Sequence, residues 1–176
     1  MSFRIAAERL EWTGRRVSAA VLDIEGPDGA VHQREVIHHP GAVAAAPIHP
    51  DGTITLVRQY RSAVDAELWE IPAGLRDVPG EPTDQCAQRE LAEEVGLRAG
   101  HLEHLITFHN SPGFSDEAVV IYVATDLESV PDDRQGAEEQ AMVVDRVPMA
   151  EARAMVADGR ITDAKTVIAV LALAAR

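Results

Sequence analysis

The 176-residue sequence predicts an α+β fold, or an α/β/α sandwich built on a mixed β-sheet. The main observation is the order of its segments: strands fill the first half, one amphipathic helix follows, and further strands and helices end the chain. The hydrophobic content of 46% is typical of a globular protein. A chain of this length forms one domain with room for a small subdomain.

Turn signals separate the predicted strands of the first half. Val17–Glu25 and Ala30–His38 flank the sequence GPDG, which is typical of a hairpin turn. Val43–His49 and Ile54–Tyr60 flank PDGT in the same way, so we expect a second hairpin there. Leu68–Ile71 adds one more short strand.

Helix signals begin beyond residue 82. Thr83 or Asp84 can cap a helix, and Gly96 can end it. The segments that follow are two strands and then two helices, at Ala118–Ala124, Met142–Val147, Met149–Ala157 and Thr162–Ala175.

The composition argues against several functional classes. The net charge of −13, from 29 acidic and 16 basic residues, disfavours a broad basic surface for nucleic acid. An anionic substrate would therefore need a local metal ion or arginines. The single cysteine, Cys86, excludes an internal disulfide and fits a reducing compartment. We find no signal segment and no apolar run of about 20 residues, so we expect a cytoplasmic protein without a membrane partner.

Three glutamates share one face of the helix that follows residue 82. At about 100° per residue, Glu90, Glu93 and Glu94 fall in one sector beside an apolar stripe. Like charges at this spacing destabilise a helix, and no lysine dilutes them here. Hard divalent cations bind converging carboxylates. On periodicity alone, a metal site and a solvated acidic face remain equally open.

The surrounding run, PAGLRDVPGEPTDQCAQRELAEEVGL at Pro72–Leu97, resembles the signature of the Nudix hydrolase family. That signature is a glycine, a loop, a glutamate, seven residues, and then Arg-Glu-apolar-x-Glu-Glu-x-Gly-apolar. The matching positions are Gly74, Glu81, Arg89, Glu90, Leu91, Glu93, Glu94, Gly96 and Leu97. Six residues instead of the usual five separate Gly74 from Glu81, in a loop where an insertion costs little.

The flanking segments resemble the ADP-ribose pyrophosphatase branch of this family. They are LVRQYR at Leu56–Arg61, LWEIPAG at Leu68–Gly74, SPGFSDE at Ser111–Glu117 and the C-terminal GRITDAKTVIAVL. The resemblance implies metal-dependent hydrolysis of ADP-ribose to AMP and ribose 5-phosphate by a metal-activated water. Two alternatives remain open: a broader nucleoside-diphosphate-sugar pyrophosphatase, and a non-catalytic ADP-ribose sensor.

The resemblance also implies an architecture and an assembly. Residues 1–40 would form an N-terminal antiparallel β subdomain that makes a homodimer, with exchange between subunits. Residues 41–176 would form the Nudix hydrolase domain, an α/β/α sandwich on a mixed sheet. The expected partners are a nucleotide-sugar substrate and a second copy of the chain, with no nucleic acid.

The resemblance assigns the chemistry to named residues. The cofactor would be Mg²⁺ or Mn²⁺, two or more ions per site, and the implied ligands are Glu90, Glu93, Glu94 and the backbone carbonyl of Ala73. Glu81 would pair with Arg89 and brace the loop, although an incidental surface ion pair is the alternative. Glu139, in the acidic loop QGAEEQAMVV, would be the catalytic base, and Glu138 is the second choice.

The implied substrate contacts are spread along the chain. Arg61 would bind the diphosphate, because the guanidinium fork matches phosphate oxygens, or it is a plain surface arginine. Arg34 would reach the substrate across the dimer interface. Glu70 and Glu117 would face the ribose or adenine of the substrate. The alternative is that both are charged residues at strand edges without a role in binding. Pro112 and Gly113 belong to the branch-specific loop, or form an ordinary turn.

Overall fold

The computed structural model describes residues 2–134 and 136–176, with residues 136 and 138 described by their backbone alone. Within these ranges the chain forms ten strands and four helices. The strands are β1 (Arg4–Thr13), β2 (Ser18–Glu25), β3 (Val31–His38), β4 (Ala42–Pro47), β5 (Thr53–Arg61), β6 (Ala66–Glu70), β7 (Ala73–Leu75), β8 (Leu97–His109), β9 (Ala118–Ser129) and β10 (Val143–Pro148). The helices are α1 (Thr83–Val95), α2 (Gly136–Gln140), α3 (Met149–Ala157) and α4 (Ala164–Ala174).

The chain divides into two compact units. The first takes in the N-terminal residues up to Gly41 together with Phe108–Ala118, and the second comprises Ala42–Thr107 and Val119–Arg176. The first unit contains an antiparallel sheet in the order β1-β2-β3. The predicted first hairpin is confirmed, because β2 pairs with β3 along its whole length. All ten residues of β1 are exposed.

The second unit contains two sheets. One is mixed and has the order β7-β4-β9-β8, with β4 antiparallel to β7 and parallel to β9. The other has the order β10-β5-β6 and is antiparallel. Helix α1 packs on β4 and β7, whereas α3 packs on β10 and β5, and α4 packs on β6. The predicted α/β/α arrangement on a mixed sheet is therefore confirmed.

The predicted second hairpin is wrong. Its turn forms, because the His49 N–H donates to the Thr53 carbonyl at 2.9 Å. However, β4 and β5 then enter different sheets and share only the isolated bridge between Ile48 and Ile54. Five of the six residues of β4 are buried. A strand buried on both faces favours partners on both edges, which β7 and β9 supply.

Helix α1 has the predicted end but not the predicted start. Gly96 adopts the left-handed conformation at φ 62°, and its N–H donates to the carbonyls of the last turn. The predicted cap by Thr83 or Asp84 is wrong, because Pro82 occupies the N-cap position and, within the described part of the chain, no side chain caps the helix. The Thr83 hydroxyl instead bonds the Tyr122 hydroxyl at 2.6 Å.

The buried stripe of α1 fixes which face the helix turns outward. Ala87 and Leu91 are buried against residues of β4 and β9, namely Val43, Ala45, Val120 and Ala124. This packing orients the neighbouring glutamates.

Among the described residues, no helix is long and apolar enough to cross a membrane.

Candidate active site

The three glutamates of α1 lie together at the edge of its buried stripe. Glu94 is only 4% exposed, and its Oε2 accepts a hydrogen bond from the Ala73 N–H at 3.0 Å. The side chain of Glu90 is largely buried, and that of Glu93 is half-buried. Strand β7 and helix α1 therefore hold two carboxylates out of water.

Arg89 links these carboxylates to the loop before the helix. Its Nε and Nη2 each donate to Glu81 at 3.2 Å, so the predicted pair forms. Its Nη1 donates to Glu90 at 2.7 Å and to Glu93 at 3.1 Å. The hydrogen bond from Arg89 lowers the pKa of Glu81. That Glu81 and Arg89 brace the catalytic loop stays a prediction.

The cations near the buried carboxylates do not offset the cost of burying their charge. Burial raises the pKa of Glu90 to about 7, although Arg89 opposes this, and Glu93 and Glu139 add to it. Burial likewise raises the pKa of Glu94 to about 8, against the hydrogen bond from Ala73. Glu90 and Glu139 raise the pKa of Glu94 further. A divalent cation would remove this excess of negative charge.

The donor set fits a hard divalent cation by its chemistry. Three carboxylates on neighbouring turns offer the oxygen ligands that Mg²⁺ and Mn²⁺ prefer. Among the described residues, no three His, Cys, Asp or Glu side chains are already arranged around a common point. Arg89 instead binds Glu90 and Glu93. Arg89 uses one oxygen of each of these two carboxylates, so the other oxygen of each is left to bind a cation. The Ala73 carbonyl stays a predicted ligand.

Gly74 leaves the space in which the Glu90 carboxylate lies. A Cβ at Gly74 would be 2.0 Å from Cδ of Glu90 and 2.2 Å from each of its oxygens. We therefore expect Gly74→Ala to displace Glu90 and to lower kcat/KM by roughly 10- to 100-fold, as loss of a metal-orienting contact does. The measurement is steady-state kinetics of the variant over a range of Mg²⁺ concentrations.

A shorter acid at position 90 provides the control for this prediction. Glu90→Asp removes one methylene and so leaves room for the methyl group of Ala at position 74. Adding Gly74→Ala should therefore lower kcat/KM less in the Glu90→Asp background than in the wild-type background. If Gly74→Ala has wild-type kinetics at every Mg²⁺ concentration, the close approach of Glu90 to Gly74 has no functional role.

Arg61 and Glu70 form a pair in the second sheet. Arg61 Nε donates to Glu70 Oε1 at 2.7 Å, and Nη2 donates to Oε2 at 2.6 Å. Glu70 is fully buried, whereas the Arg61 side chain is 41% exposed. Burial raises the pKa of Glu94, and the charge of Arg61 opposes this rise, so Arg61 acts on a carboxylate of α1.

The predicted base lies near the same carboxylates. Helix α2, which carries Glu139, packs against β5. The charge of Glu139 raises the pKa of both Glu90 and Glu94. The side chain of Glu138, the second choice, lies outside the described residues.

Two cations near this site were not predicted from the sequence. Arg134 donates to the carbonyl of Glu94 at 3.0 Å and to that of Met142 at 3.1 Å, so it joins the end of α1 to the far side of the acidic loop. Lys165 donates to Glu70 from α4. Arg134 lies in no local pattern. Lys165, the only lysine in the sequence, lies in the C-terminal segment GRITDAKTVIAVL, but no role was predicted for it.

The remaining predicted substrate residues belong to the first unit. Arg34 is exposed on β3 and donates to the carbonyl of Gln33 at 2.7 Å. Pro112 and Gly113 are exposed in a turn that a hydrogen bond from the Phe114 N–H to the Ser111 carbonyl closes. Glu117 accepts a hydrogen bond from the Asn110 side chain at 2.9 Å. Their roles in substrate binding stay predictions.

A histidine–aspartate pair in the first unit makes its stability depend on pH. His38 Nδ1 lies 2.6 Å from Asp116 Oδ2, and this hydrogen bond raises the pKa of His38. Burial alone would raise the pKa of Asp116, but hydrogen bonds from His38 and from the His39 backbone lower it. The pair therefore stabilises the fold when pH is below the ordinary His pKa of 6.5 and above the lowered pKa of Asp116.

We expect this contribution to be lost as pH rises through the raised pKa of His38. In wild-type protein the melting temperature should fall between about pH 6 and pH 8 by about 1–3 °C from this pair, since partly exposed pairs contribute under about 1 kcal/mol. His38→Gln should flatten this part of the profile, measured by thermal denaturation. His32→Gln, exposed on the same strand, is the control. A profile for His38→Gln as steep as the wild type would contradict the assignment.

Comparison with known proteins identifies the family. The protein-family model for the NUDIX domain matches residues 37–169. These residues include both sheets of the second unit and the glutamates of α1. The chain therefore belongs to the Nudix family, and the predicted family membership is confirmed.

Individual relatives match over nearly the whole chain. An ADP-ribose pyrophosphatase of Mycobacterium tuberculosis is 44% identical over 169 residues, covering 96% of this chain and 81% of that protein. An ADP-ribose pyrophosphatase of Bacillus subtilis is 36% identical over 166 residues, covering 94% and 89%. A crystal structure described as an ADP compounds hydrolase superposes with a TM-score of 0.85 at 26% identity, covering 99% of this chain and 94% of that one.

Proposed function

We propose that this protein hydrolyses the diphosphate of ADP-ribose to AMP and ribose 5-phosphate. The observation that carries the proposal is the group of buried carboxylates on α1, in a chain whose relatives include ADP-ribose pyrophosphatases. The predicted branch of the family is confirmed by these relatives. A diphosphate is the kind of anion that such carboxylates bind through divalent cations, which Nudix hydrolases generally need.

Different residues of this chain bind the diphosphate and accept the proton. Arg61 presents its guanidinium to the diphosphate and stabilises the negative charge of the phosphate oxygens. Glu139 accepts the proton of the attacking water. The water oxygen forms a new bond to phosphorus, the bridging P–O bond breaks, and the two products each keep one phosphate.

The carboxylates of α1 hold the cation. We propose that Glu90, Glu93 and Glu94, with the Ala73 carbonyl, bind Mg²⁺ or Mn²⁺, two or more ions per site. When bound, the cations supply Lewis-acid stabilisation of the phosphates and lower the pKa of coordinated water. Arg89, paired with Glu81, holds the loop against the helix and shields Glu90 and Glu93 from mutual repulsion.

Substrate choice is tested with a panel of nucleotide sugars. We expect the highest kcat/KM for ADP-ribose in Mg²⁺, with AMP and ribose 5-phosphate as products identified by chromatography. Comparable values for GDP-mannose or UDP-glucose would favour a broader nucleoside-diphosphate-sugar pyrophosphatase. Tight binding of ADP-ribose without turnover of any panel member would contradict an enzymatic function and favour a sensor.

We also propose that the protein is a homodimer formed by residues 1–40, which would act as a subdomain and exchange between subunits. Support comes from large apolar side chains of this region that are more than half exposed, namely Phe3, Ile5, Leu10, Trp12 and Val31. Exposed apolar residues at this density are typical of a protein–protein interface. Arg34, exposed on β3, would then be available to the site of the second subunit.

Light scattering after size exclusion tests this assembly. Wild-type protein should have the mass of two chains, and Leu10→Arg should shift it to one, because a charge cannot be buried there without a partner. Leu171→Arg, a half-exposed apolar position on α4, is the control. A wild-type monomer would contradict the proposal. Cytoplasmic localisation stays a prediction from the cysteine content.

A further inference from the structure

Glu70 is a fully buried carboxylate whose hydrogen-bonding partners are two cations. Its Oε1 accepts from Arg61 Nε, and its Oε2 accepts from Arg61 Nη2 and from Lys165 Nζ. With a side chain 1% exposed, it has little surface left for a ligand. Burial alone would raise its pKa, but Arg61 and Lys165 outweigh burial and lower it. Glu70 is therefore charged and bound on both oxygens.

Lys165 is held in place by the start of α4. Its Nζ also donates to Asp163 Oδ1 at 2.9 Å, and the Lys165 side chain is only 12% exposed. Asp163 caps α4 by accepting from the Thr166 N–H at 3.0 Å and from its hydroxyl at 2.6 Å. The Thr166 hydroxyl in turn accepts from the Ile71 N–H at 2.9 Å, directly after β6. The ammonium group is thus fixed relative to the strand that carries Glu70.

The location of Lys165 is unfavourable for helix stability. A cation in the first turn of a helix opposes the helix dipole. Of the 16 lysine and arginine side chains in the sequence, Lys165 is the only lysine. An ammonium is a compact charge, so it can reach Glu70 Oε2 without competing for the bidentate geometry of Arg61. These features indicate that Lys165 acts on the Glu70–Arg61 pair.

The pair with Glu70 orients Arg61. Because Nε and Nη2 are used by Glu70, the guanidinium is held in one plane and Nη1 is directed away from the pair. The charge of Arg61 opposes the rise in the pKa of Glu94, and the charge of Glu94 raises the pKa of Arg61. This mutual effect supports a guanidinium close to the proposed cation ligands. If Arg61 were its only cationic partner, the Glu70 carboxylate would neutralise the charge of the Arg61 guanidinium. Because Glu70 also binds Lys165, its negative charge is shared between two cations. Part of the positive charge of Arg61 is then available to an anion.

We propose that Lys165, acting through Glu70, is a positioning residue that sets the orientation and effective charge of Arg61 for binding the substrate diphosphate. This inference rests on the proposed hydrolysis of ADP-ribose. Neither Lys165 nor Glu70 contacts the substrate in this account. Glu70, predicted from the sequence to face the ribose or adenine, acts here through Arg61.

A double-mutant cycle between Lys165 and Arg61 tests the inference. Lys165→Met keeps the length of the side chain and removes its charge. We expect it to raise KM for ADP-ribose roughly tenfold with little change in kcat, because binding to the diphosphate is weakened in ground and transition states alike. Arg61→Ala should raise KM by roughly 10- to 100-fold. In the Arg61→Ala background, Lys165→Met should have no further effect on KM.

Further measurements separate positioning from a structural role. The dissociation constant of ADP-ribose, measured by calorimetry in EDTA, should follow the same cycle without turnover. Lys165→Arg keeps the charge but loses the compact ammonium, so it should restore only part of the binding. Arg160→Met, which removes an exposed cation between α3 and α4, should leave KM unchanged. Melting temperatures of all variants identify any that fail to fold.

The outcomes are distinct. Non-additive effects on KM and on the dissociation constant support the inference. Additive effects, or an unchanged KM in Lys165→Met, overturn it while the wild-type activity stands. If wild-type protein neither binds nor hydrolyses ADP-ribose, the proposed function fails, and this inference fails with it.

Discussion

Glu94→Gln should abolish turnover and at the same time raise the melting temperature of the metal-free protein. Glu94 is 4% exposed, and among the described residues its carboxylate accepts one hydrogen bond, from the Ala73 N–H. A buried carboxylate with so few partners destabilises the fold, and glutamine keeps its shape and its acceptor without the charge. We expect activity to fall by roughly 10³-fold, equivalent to several kcal/mol of lost cation-dependent stabilisation. The melting temperature in EDTA should rise by about 3 °C or more.

Glu93→Gln is the matched control for this pair of effects. Glu93 belongs to the same predicted ligand set, but its side chain is 32% exposed. It should therefore lose activity to a similar extent without the gain in thermal stability. Both variants are compared by steady-state kinetics in Mg²⁺ and by calorimetric melting in EDTA. A lower melting temperature for Glu94→Gln would show that the Glu94 carboxylate stabilises the fold and is not held there for cation binding.

Glu139→Gln should lower kcat by roughly 10²- to 10⁴-fold, the range expected for loss of a general base. The charge of Glu139 raises the pKa of Glu90 and Glu94, which supports its proposed role as the base beside these carboxylates. KM should change little, because the proton is transferred only in the chemical step. The acidic limb of the profile of kcat against pH should disappear in the variant.

Glu138→Gln provides the comparison for Glu139. If Glu139 is the base, Glu138→Gln should keep most of the activity and the wild-type pH profile. The reverse pattern, with activity lost only in Glu138→Gln, would assign the base to the neighbouring residue and contradict our choice.

The helix of the site could be predicted because its information is local. The positions of Glu90, Glu93 and Glu94 follow from helical periodicity, and Gly96 ends the helix by its own conformation. The pair between Glu81 and Arg89 followed from resemblance to a signature whose residues lie within one short segment. The structure adds what periodicity cannot express, namely that Glu94 is buried more deeply than Glu93.

The contacts that sequence reasoning missed join distant parts of the chain. Lys165 and Glu70 are 95 positions apart, and Arg134 and Glu94 are 40 apart. No local pattern marks either contact. The wrong second hairpin has the same origin: the turn between β4 and β5 is local and forms, but the partners of each strand are set by residues far away, such as Ala44 opposite Ile121.

The most direct test of the account is whether purified protein releases AMP from ADP-ribose in a Mg²⁺-dependent reaction that needs the glutamates of α1. We expect rapid formation of AMP and ribose 5-phosphate by the wild type, none in EDTA, and nearly none for Glu93→Gln. Wild-type activity retained by Glu93→Gln, or unaffected by EDTA, would show that these carboxylates are not a cation site and would contradict the account.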